Sequence, residues 1–511
     1  MTLTPGLLRP RRTVPRPLDA LARRFAAAVR GDLGGRSATG LTIRSQDVHA
    51  GDLFVALPGA GTHGATFAGA ARAAGAVALL TDLEGAAIAD RAGLPTLIVE
   101  EPRRLLGDVA AWVLDTAAAV PMLLGVTGTD GKTTTVTMLE HLLRRLGRRT
   151  GLSTTAERLV DGVQVQSRLT SPEADELHGL LAAMRERHVD AAAIEVSAQA
   201  LIRHRLGGVR FDVAGFTGLS HDHLDDFGDL ETYFAAKAAL FEPDRARRGV
   251  VSLDSPWGAR LVDRAAVPVT TIALHGRADW RVAVTARSAE GTRFRLEAPA
   301  GGRLDTRVRM LGDHAAANAS LAVAMLVEAG VGLAEIAEAL GTDGFRDAVP
   351  GRLERVGAPG DPAVFLDIAH TPDAFEKSLR ALRAVVPGRI VMLFGADGDR
   401  DPTKRTAMGR VAGTLADTVL ITDHHSRFED PDAIRAALLG GARAAERAEV
   451  LDVPDPSIAI RLAVAAAGPE DAVLWAGTGR SQYRDVRGVK RPYSFLAEAL
   501  AALDELRVAA A

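Results

Sequence analysis

The run Gly125-Val126-Thr127-Gly128-Thr129-Asp130-Gly131-Lys132-Thr133-Thr134 constrains the fold more than any other part of the chain. An apolar stretch, Met122 to Val126, precedes the glycines, and Lys132 to Leu146 follows them with apolar residues on one helical stripe. This pattern predicts a strand, a tight turn and a helix. Glycines let backbone N–H groups approach phosphate oxygens, and the helix amino-terminus adds partial positive charge. The sequence therefore predicts a phosphate-binding loop.

Within this loop the charged and hydroxyl side chains have distinct predicted roles. Lys132 would reach the β- and γ-phosphates of ATP, and the Thr133 hydroxyl would ligate Mg²⁺. The glycine spacing differs from the strict Walker pattern because Val126 stands where that pattern has glycine. An ordinary glycine turn that caps a helix is the alternative, but the preceding strand and the following helix favour nucleotide binding. The predicted ATP-binding residues here are Gly128, Thr129, Asp130, Gly131, Lys132, Thr133 and Thr134.

Length and patterning predict an α/β protein of three domains. A chain of 511 residues is long enough for about three domains at roughly 100–200 residues each. The prediction is a small N-terminal α/β domain (residues 1–119), a central P-loop NTPase-like parallel-sheet domain (120–350) and a C-terminal Rossmann-like domain (351–511). In the last of these, short apolar strands alternate with helical stretches, at Val364–Ile368, Ile390–Phe394, Val419–Thr422 and Val473–Ala476. Ligands gather at the carboxyl ends of strands in such sheets.

Composition narrows the class of protein. The chain has no cysteine, which excludes disulfides and thiolate metal sites. Its net charge of −3 gives no reason to expect nucleic acid or an anionic membrane as partner. No apolar run reaches the roughly 18 residues of a membrane span. The basic start, Met1 to Arg24, lacks the apolar core of a secretory signal and is interpreted as a solvated arm. We therefore expect a cytoplasmic enzyme with small-molecule substrates.

Motifs along residues 40–490 carry a family resemblance, in order and without a large gap. Besides the glycine loop, they are Gly51–Gly59, Glu195-Val196-Ser197, Phe216–Leu219, Asp222–Asp225, Tyr233–Lys237, Gly351–Glu354, Asp367–Ala374, Gly398–Asp401 and Lys404-Arg405. In these motifs the chain resembles the Mur ligase family, and within it the MurE type. The resemblance implies an ATP-dependent, ADP-forming ligase that joins a carboxylate to an amine through an acyl-phosphate. Such an enzyme adds an amino acid to UDP-MurNAc-L-Ala-D-Glu in peptidoglycan synthesis.

The resemblance also implies the catalytic residues and cofactors. ATP and Mg²⁺ are the expected cofactors, and Lys132, Glu195, His223 and Lys237 are the expected catalytic residues. Glu195 ends a buried strand, where an unpaired carboxylate is costly, so Mg²⁺ or a salt bridge would satisfy it. Thr133, Glu195 and His223 are implied metal ligands. Lys237 is implied to react with CO₂ and to support a second metal as a carbamate, and lysine pKa values do shift readily on burial.

Substrate residues follow from the same resemblance. Asn318 is expected near adenine, and Arg352, His370 and Asp373 are expected to face ATP from the C-terminal domain. The acceptor is expected at Ser45, Thr170, Ser171, Ser197 and Arg205. The amino acid is expected at His424, His425, Ser426, Arg427, Gly477, Arg480 and Ser481.

The chain departs from the family pattern where substrates should bind. The family's Asp-Asn-Pro-Arg reads His424-His425-Ser426-Arg427, in which the Arg427 guanidinium is retained to hold a carboxylate. The family's Lys-Gly-His-Glu reads Thr478-Gly479-Arg480-Ser481. The lost glutamate would recognise a distal amine, so its absence argues against diaminopimelate. A metal site at the histidine pair is disfavoured because the sequence shows no third ligand nearby.

Three functions remain open from the sequence. The first is the cell-wall ligase, and the second is a paralogue that joins another acceptor and amine in a specialised pathway. The third is a nucleotide-binding protein without ligase activity, against which the intact Lys132, Glu195 and Lys237 weigh. The amino acid, the acceptor and the oligomeric state are not determined by the sequence.

Overall fold

The computed structural model describes residues 9–59, 61–117, 120–165, 169–346, 349–358 and 361–510. The first eight residues of the basic arm and positions 118–119, beside the predicted first boundary, lie outside this range. The arm is not simply solvated where it is described. Arg9 forms an ion pair with Asp52 at 2.5 Å, and the backbone N–H groups of Arg11 and Arg12 donate to the Glu186 carboxylate. Among the described residues, no helix has the length and apolar character needed to cross a membrane.

The first part of the chain contains a five-stranded sheet flanked by helices. Its strand order is β2-β7-β6-β5-β4, parallel except for β2, and β1 pairs separately with β3. The strands are β1 (Arg16–Pro17), β2 (Ala28–Arg30), β3 (Ser37–Ala38), β4 (Gly40–Thr42), β5 (Asp52–Val55), β6 (Ala78–Thr81) and β7 (Thr96–Ile98). The helices are α1 (Leu18–Arg24), α2 (Ala68–Ala73), α3 (Leu83–Ile88) and α4 (Pro102–Leu114).

The middle part contains an eleven-stranded sheet with the glycine loop at its centre. The strand order is β11-β10-β9-β12-β8-β13-β14-β15-β16-β17-β18. The strands are β8 (Met122–Thr127), β9 (Thr150–Ser153), β10 (Arg158–Val160), β11 (Val163–Gln164), β12 (Ala191–Glu195), β13 (Phe211–Phe216), β14 (Ala246–Ser252), β15 (Val269–Ala273), β16 (Trp280–Ser288), β17 (Gly291–Glu297) and β18 (Arg303–Val308). Strands β9 and β12 to β16, with β8, pair in parallel, whereas both edges are antiparallel. The predicted parallel sheet is therefore present but extended by antiparallel strands at each side.

Helices cover both faces of this sheet. They are α5 (Lys132–Arg145), α6 (Ala174–Glu186), α7 (Ala198–Ile202), α8 (Leu224–Phe227), α9 (Leu230–Ala238), α10 (Pro256–Arg264), α11 (Asp313–Glu328) and α12 (Leu333–Leu340). The predicted stripe of α5 is buried, with Met138, Leu139 and Leu142 at 1% exposure or less. It packs against α11, whose alanines Ala315, Ala319 and Ala322 are fully buried. Small side chains on α11 let the two helices approach closely and fill one core.

The last part contains a six-stranded sheet ordered β19-β20-β24-β21-β22-β23, parallel except for β19. Its strands are β19 (Glu354–Val356), β20 (Ala363–Leu366), β21 (Ile390–Phe394), β22 (Thr418–Ile421), β23 (Glu449–Asp452) and β24 (Ala472–Ala476), followed by the hairpin β25 (Tyr483–Val486) and β26 (Val489–Pro492). The helices are α13 (Pro372–Arg383), α14 (Arg405–Leu415), α15 (Pro431–Arg443), α16 (Pro456–Ala466) and α17 (Phe495–Ala510). The predicted strands lie within a few residues of these bounds, as a doubly wound sheet requires.

The first and middle parts are joined by a close backbone contact. A Cβ atom placed on Gly107 of α4 would lie 2.2 Å from the carbonyl oxygen of Gly207, so only glycine permits this approach. His178 of α6 is fully buried beside it. Its Nδ1 lies 2.6 Å from the Thr116 hydroxyl, and its Nε2 lies 2.8 Å from the Gly207 carbonyl oxygen. These contacts fix the first sheet against the sheet that bears the glycine loop.

Candidate functional site

The glycine loop turns sharply between β8 and α5. Gly128 and Gly131 have φ angles of 149° and 84°, in the region that favours glycine. A Cβ on Gly131 would lie 2.5 Å from Asn318 Oδ1, and one on Gly128 would lie 1.9 Å from Thr217 Oγ1. Helix α5 begins at Lys132 without a side-chain cap. Its first N–H groups therefore point out of the helix end, where phosphate oxygens can accept from them.

Lys132, Thr133 and Glu195 converge at this loop. Glu195 ends β12 and is 2% exposed. Its Oε2 accepts from the Thr133 hydroxyl and from the Thr155 N–H, both at 3.0 Å. Its Oε1 lies 3.9 Å from Lys132 Nζ, which donates instead to the Thr129 carbonyl at 2.7 Å. The carboxylate and the hydroxyl form an oxygen donor set that suits Mg²⁺. The Lys132 ammonium beside them suits a phosphate instead.

Lys237 of α9 contacts the backbone of the same loop. It is 1% exposed, its Nζ donates to the Gly128 carbonyl at 2.7 Å, and it lies 4.3 Å from the centroid of the Tyr233 ring. Burial and the nearby Lys132 ammonium lower the pKa of Lys237 well below its ordinary value. The side chain is therefore suited to carry a neutral amine.

His223 follows the buried Asp222 in a left-handed turn with φ of 57°. Ligand atoms of His223, Asp225 and Asp226 lie within 4.8 Å of one another. Burial lowers the pKa of His223, although the Asp222 carboxylate opposes this shift. A neutral imidazole is the form that binds metal.

Residues of the last part of the chain close the site from the other side. Arg352 donates to the Thr133 hydroxyl at 2.8 Å, and His370 Nε2 lies 3.7 Å from Asp222 Oδ2. Asp373 instead accepts from Lys377 at 2.5 Å. Burial raises the pKa of Asp373, and the Asp130 carboxylate also raises it, while Lys377 opposes the shift.

A cavity of about 450 Å³ gathers most of the predicted residues. It is lined by residues of the middle and last parts of the chain, which places the glycine loop, the metal candidates and the acceptor candidates around one space. The predicted residues on its wall are Thr129, Asp130, Gly131, Lys132, Thr133, Thr134, Thr170, Glu195, Ser197, Arg205, His223, Lys237, Asn318, Arg352 and His370.

Two predicted acceptor residues lie away from the cavity wall. Ser171 is fully buried and donates to the Glu195 carbonyl at 2.9 Å, so it supports the wall from behind. Ser45 begins a short 3-10 helix in the first part of the chain. Arg205, on the wall, is held by Glu173 at 2.9 Å. Its guanidinium is therefore a buried cation with a fixed position on the wall.

The predicted amino-acid residues lie apart from this wall, in the last part of the chain. His424, His425 and Ser426 are buried. Asp397 lies with the histidine pair: its Oδ1 is 2.7 Å from His424 Nδ1, and its Oδ2 accepts from Arg427 at 3.1 Å. The expectation of no third group near the histidines is therefore wrong, because β21 delivers Asp397 to the same sheet edge. The Arg427 cation and the occupied Nδ1 still disfavour a metal there.

The segment after β24 is also occupied by internal contacts. Gly477 is left-handed, with φ of 88°. Arg480 forms an ion pair with Glu354, donating through Nε at 2.8 Å. Ser481 donates to the Tyr483 carbonyl at 3.1 Å. The charge of Arg480 is thus already matched within the chain.

Several cavity residues were not predicted from the sequence. They are Thr155, Gln199, Arg203, Asp222, Asp226, His314 and Lys377, among others. Gln199 donates to Asp226 at 3.0 Å, across 27 positions of the chain, a contact that no local pattern signals. Lys377 follows Asp373 by one helical turn, a spacing that signals a shared face.

Family models match three successive segments of the chain. They are described as the Mur ligase family, catalytic domain (residues 37–112), the Mur ligase middle domain (126–326) and the Mur ligase, glutamate ligase domain (351–479).

Named relatives match over nearly the whole length. A "UDP-N-acetylmuramyl-tripeptide synthetase" of Leifsonia xyli is 53% identical over 98% of both chains. A "UDP-N-acetylmuramoyl-L-alanyl-D-glutamate--2,6-diaminopimelate ligase" of Streptomyces avermitilis is 42% identical over 96% of both. A solved structure with that same ligase name has a TM-score of 0.66 at 26% identity, covering 97% of this chain and all of the other. A MurF structure from Acinetobacter baumannii has a TM-score of 0.68 at 18% identity, covering 96% and 99%, and shows the fold alone.

Proposed function

The chain belongs to the Mur ligase family, and on that premise we propose which residues carry out its reaction. It is a MurE-type, ATP-dependent and ADP-forming ligase that adds an amino acid to a UDP-MurNAc peptide in peptidoglycan synthesis. The observation that carries the residue assignments is the cavity in which the glycine loop faces Glu195, Lys237 and Arg205.

We assign the nucleotide to the glycine loop. The backbone of residues 128–134 and the Lys132 ammonium would hold the phosphates, with Arg352 approaching from the last sheet. Asn318 packs at Gly131 and would lie beside the base. Thr133 and Glu195 would hold one Mg²⁺, whose bound charge lets two anions, phosphate and carboxylate, approach each other.

We propose that Lys237 is carbamylated and holds a second Mg²⁺ with His223. The argument is the buried amine with a lowered pKa, because only a neutral amine reacts with CO₂. Its Nζ already lies at the Gly128 carbonyl, so an added carboxylate would lie beside the phosphate loop. Carbon NMR after incubation with ¹³C-bicarbonate should give a carbamate signal that Lys237→Met lacks; its absence from the parent protein would reject the carbamate.

We place the acceptor carboxylate between Arg205 and the loop. Arg205 is buried and anchored by Glu173, so it is pre-oriented to face an anion. Thr170 and Ser197 are on the same wall and would hydrogen-bond the peptide of the acceptor. Because the reaction consumes ATP, we also propose a cytoplasmic location.

We propose an amino acid other than diaminopimelate. Thr478 to Ser481 offers no carboxylate for a distal amine, and Arg480 is engaged by Glu354. Arg427, held by Asp397, would take the amino acid's carboxylate. The Streptomyces relative has diaminopimelate in its name, whereas the Leifsonia relative's name specifies no amino acid.

The test is phosphate release in the presence of UDP-MurNAc-L-Ala-D-Glu and a panel of amino acids. We expect ADP and phosphate only when both the acceptor and one amino acid are present, and no turnover with diaminopimelate. Lys132→Ala should abolish activity, while Lys490→Ala, at an exposed hairpin lysine, should not. Turnover with diaminopimelate would refute the specificity proposal, and an active Lys132→Ala would refute the loop assignment. Absence of phosphate release with this acceptor and every amino acid would indicate that the enzyme uses another acceptor.

A further inference from the structure

One segment, residues 397–405, connects the groups to which the amino acid and the nucleotide are assigned. At its start, Asp397 contacts His424 at 2.7 Å and Arg427 at 3.1 Å. Near its end, Lys404 Nζ donates to Asp222 Oδ1 at 2.9 Å. Asp222 directly precedes His223, a proposed metal ligand. A continuous chain of contacts therefore runs from one proposed substrate site to the other.

The pair of Lys404 and Asp222 is deeply buried and joins distant parts of the protein. The two side chains are 10% and 6% exposed, and 182 residues separate them. Burial alone would raise the pKa of Asp222, yet His370, His223 and Lys404 together hold it well below its usual range. Buried pairs contribute little net stability compared with apolar replacements, so their value is often geometric. Here the geometry is that of the last sheet closed upon the middle one.

A second contact lies beside this pair. His221 Nε2 is 3.3 Å from Asp401 Oδ2, and Asp401 Oδ1 accepts from the Thr403 N–H at 2.9 Å. Residues 221–222 are thus held at two points by residues 401–404. The left-handed turn at His223 follows immediately. The direction of the His223 side chain therefore depends on this contact.

The segment is also tied to the loop that bears the histidine pair. Arg405, 3% exposed, donates to the Asp397 carbonyl at 3.1 Å and to Glu429 at 2.8 Å. The Gly398 N–H donates to the His425 carbonyl at 2.8 Å. A Cβ on Gly398 would lie 2.0 Å from the Ser426 carbonyl oxygen. Residues 424–429 cannot move without moving residues 397–405.

We propose that Lys404 is a positioning residue that acts through Asp222. It holds the last sheet closed over the glycine loop and couples that closure to the filling of the amino-acid site at Asp397. Closure excludes water from the acyl-phosphate. Water that reaches this intermediate returns the acceptor carboxylate and releases inorganic phosphate, so ATP is consumed without amide formation. The inference rests on the proposed ligase function.

The experiment measures phosphate and amide product in parallel for full-length variants. The parent enzyme should release about one phosphate per amide, whereas Lys404→Met should release at least about twofold more phosphate per amide and lose about tenfold in kcat. Lys404→Arg keeps the charge and the donor and should restore a ratio near one. Arg281→Met removes an exposed ion pair with Glu297 and serves as the matched control, with an unchanged ratio.

The outcomes separate the two proposals. Equal ratios for Lys404→Met and Arg281→Met in an active enzyme would overturn the role of Lys404 and leave the ligase assignment intact. A parent enzyme that forms no amide with any acceptor would instead refute the proposed function. If Lys404→Met does not fold, Lys404→Gln is compared with Lys404→Arg at matched melting temperature. A higher phosphate-to-amide ratio for Gln supports the proposal, and equal ratios reject it.

Discussion

Three buried cationic or titratable side chains show how differently single residues are accommodated in this protein. Lys404 is paired with the Asp222 carboxylate, whereas Lys237 meets a backbone carbonyl and an aromatic ring. His178 is held between a hydroxyl and a carbonyl. A paired cation keeps its charge after burial, while one that meets only neutral groups tends to lose it. The lowered pKa of Lys237 therefore supports its proposed reaction with CO₂.

The environment of His178 gives a pH prediction. Burial lowers the pKa of His178 to about 4 from 6.5. As the pH falls below 6.5, His178 takes up a proton in the unfolded chain but not in the folded one. Its contribution to the free energy of unfolding is therefore complete above pH 6.5 and is lost as the pH falls towards 4. The loss from this residue should be about 2 kcal/mol at pH 5. Urea unfolding of the parent and of His178→Gln, at pH 7.5 and 5, measures it. A pH dependence unchanged in His178→Gln would contradict the prediction.

At this scale the sequence motifs identified most of the residues around the cavity. Lys132, Thr133, Glu195, His223 and Lys237 all lie on its wall, as an ordered set of motifs suggested. The partners of those residues were harder to predict. Lys404 and Asp222 are 182 positions apart, and nothing local in either segment signals that they meet. Asp397 likewise lies 27 positions from His424, and no sequence pattern pairs the two.

Among the elements, the turn between β8 and α5 depends most on its glycines. Gly131 combines a positive φ with contact to Asn318, so a methyl group there would displace the side chain proposed to face the base. Gly147, just past the other end of α5, also has a positive φ of 73°, but a Cβ there meets nothing within 4 Å. Both glycines at the ends of α5 therefore have a positive φ, but only Gly131 is crowded by a neighbouring side chain.

Replacing each glycine by alanine separates strain from binding. Both variants should lose about 1–2 kcal/mol of stability, because alanine disfavours the left-handed region. Only Gly131→Ala should also lose Mg-ATP affinity, by about tenfold or more. Urea unfolding and calorimetry with Mg-ATP measure the two effects. Equal affinities for the two variants would show that the turn does not hold the nucleotide.

Element types were predictable wherever a pattern was strong. The strand and helix around the loop, the buried strand that ends at Glu195 and the alternating elements after residue 360 all form. The antiparallel strands β16 to β18 were not predicted, although Trp280 and Val282 of β16 alternate with exposed residues. Such alternation is the signal of a half-buried strand. The edge strands β10 and β11 are only three and two residues long, too short for any period to be visible.

In the whole molecule, side chains of the last part of the chain reach the glycine loop of the middle part. Arg352 supplies one of them, at the Thr133 hydroxyl. Arg352 lies at the start of the last part of the chain, so its hydrogen bond depends on the position of that part relative to the loop. The order of three α/β parts was predicted from the sequence, and the domain boundaries at 119/120 and 350/351 stay a prediction. The contacts between parts were not predicted, because they pair residues far apart in the chain, such as Gly107 with Gly207 and Arg352 with Thr133.

Removing this arginine should weaken nucleotide-driven closure. For Arg352→Ala we expect the Kd for Mg-ATP to rise by about tenfold, as for loss of one charge-assisted hydrogen bond. Arg355→Ala, at an exposed position on β19, is the matched control and should bind as the parent does. Calorimetry gives the affinities, and small-angle scattering should show less compaction with Mg-ATP for Arg352→Ala alone. Compaction equal to that of the control would argue against the contact.

The glycine-to-glycine approach between α4 and the loop before β13 has a consequence for how motion is shared. Side-chain contacts can shift by changing rotamer, whereas two backbones in direct contact cannot. We therefore expect the first two sheets to move as one rigid body. Opening and closing of the cavity would then require movement of the third sheet. A long acceptor bound across the first two sheets would stay bound at both ends through each turnover. Movement of the third sheet would then admit and release the smaller reactants.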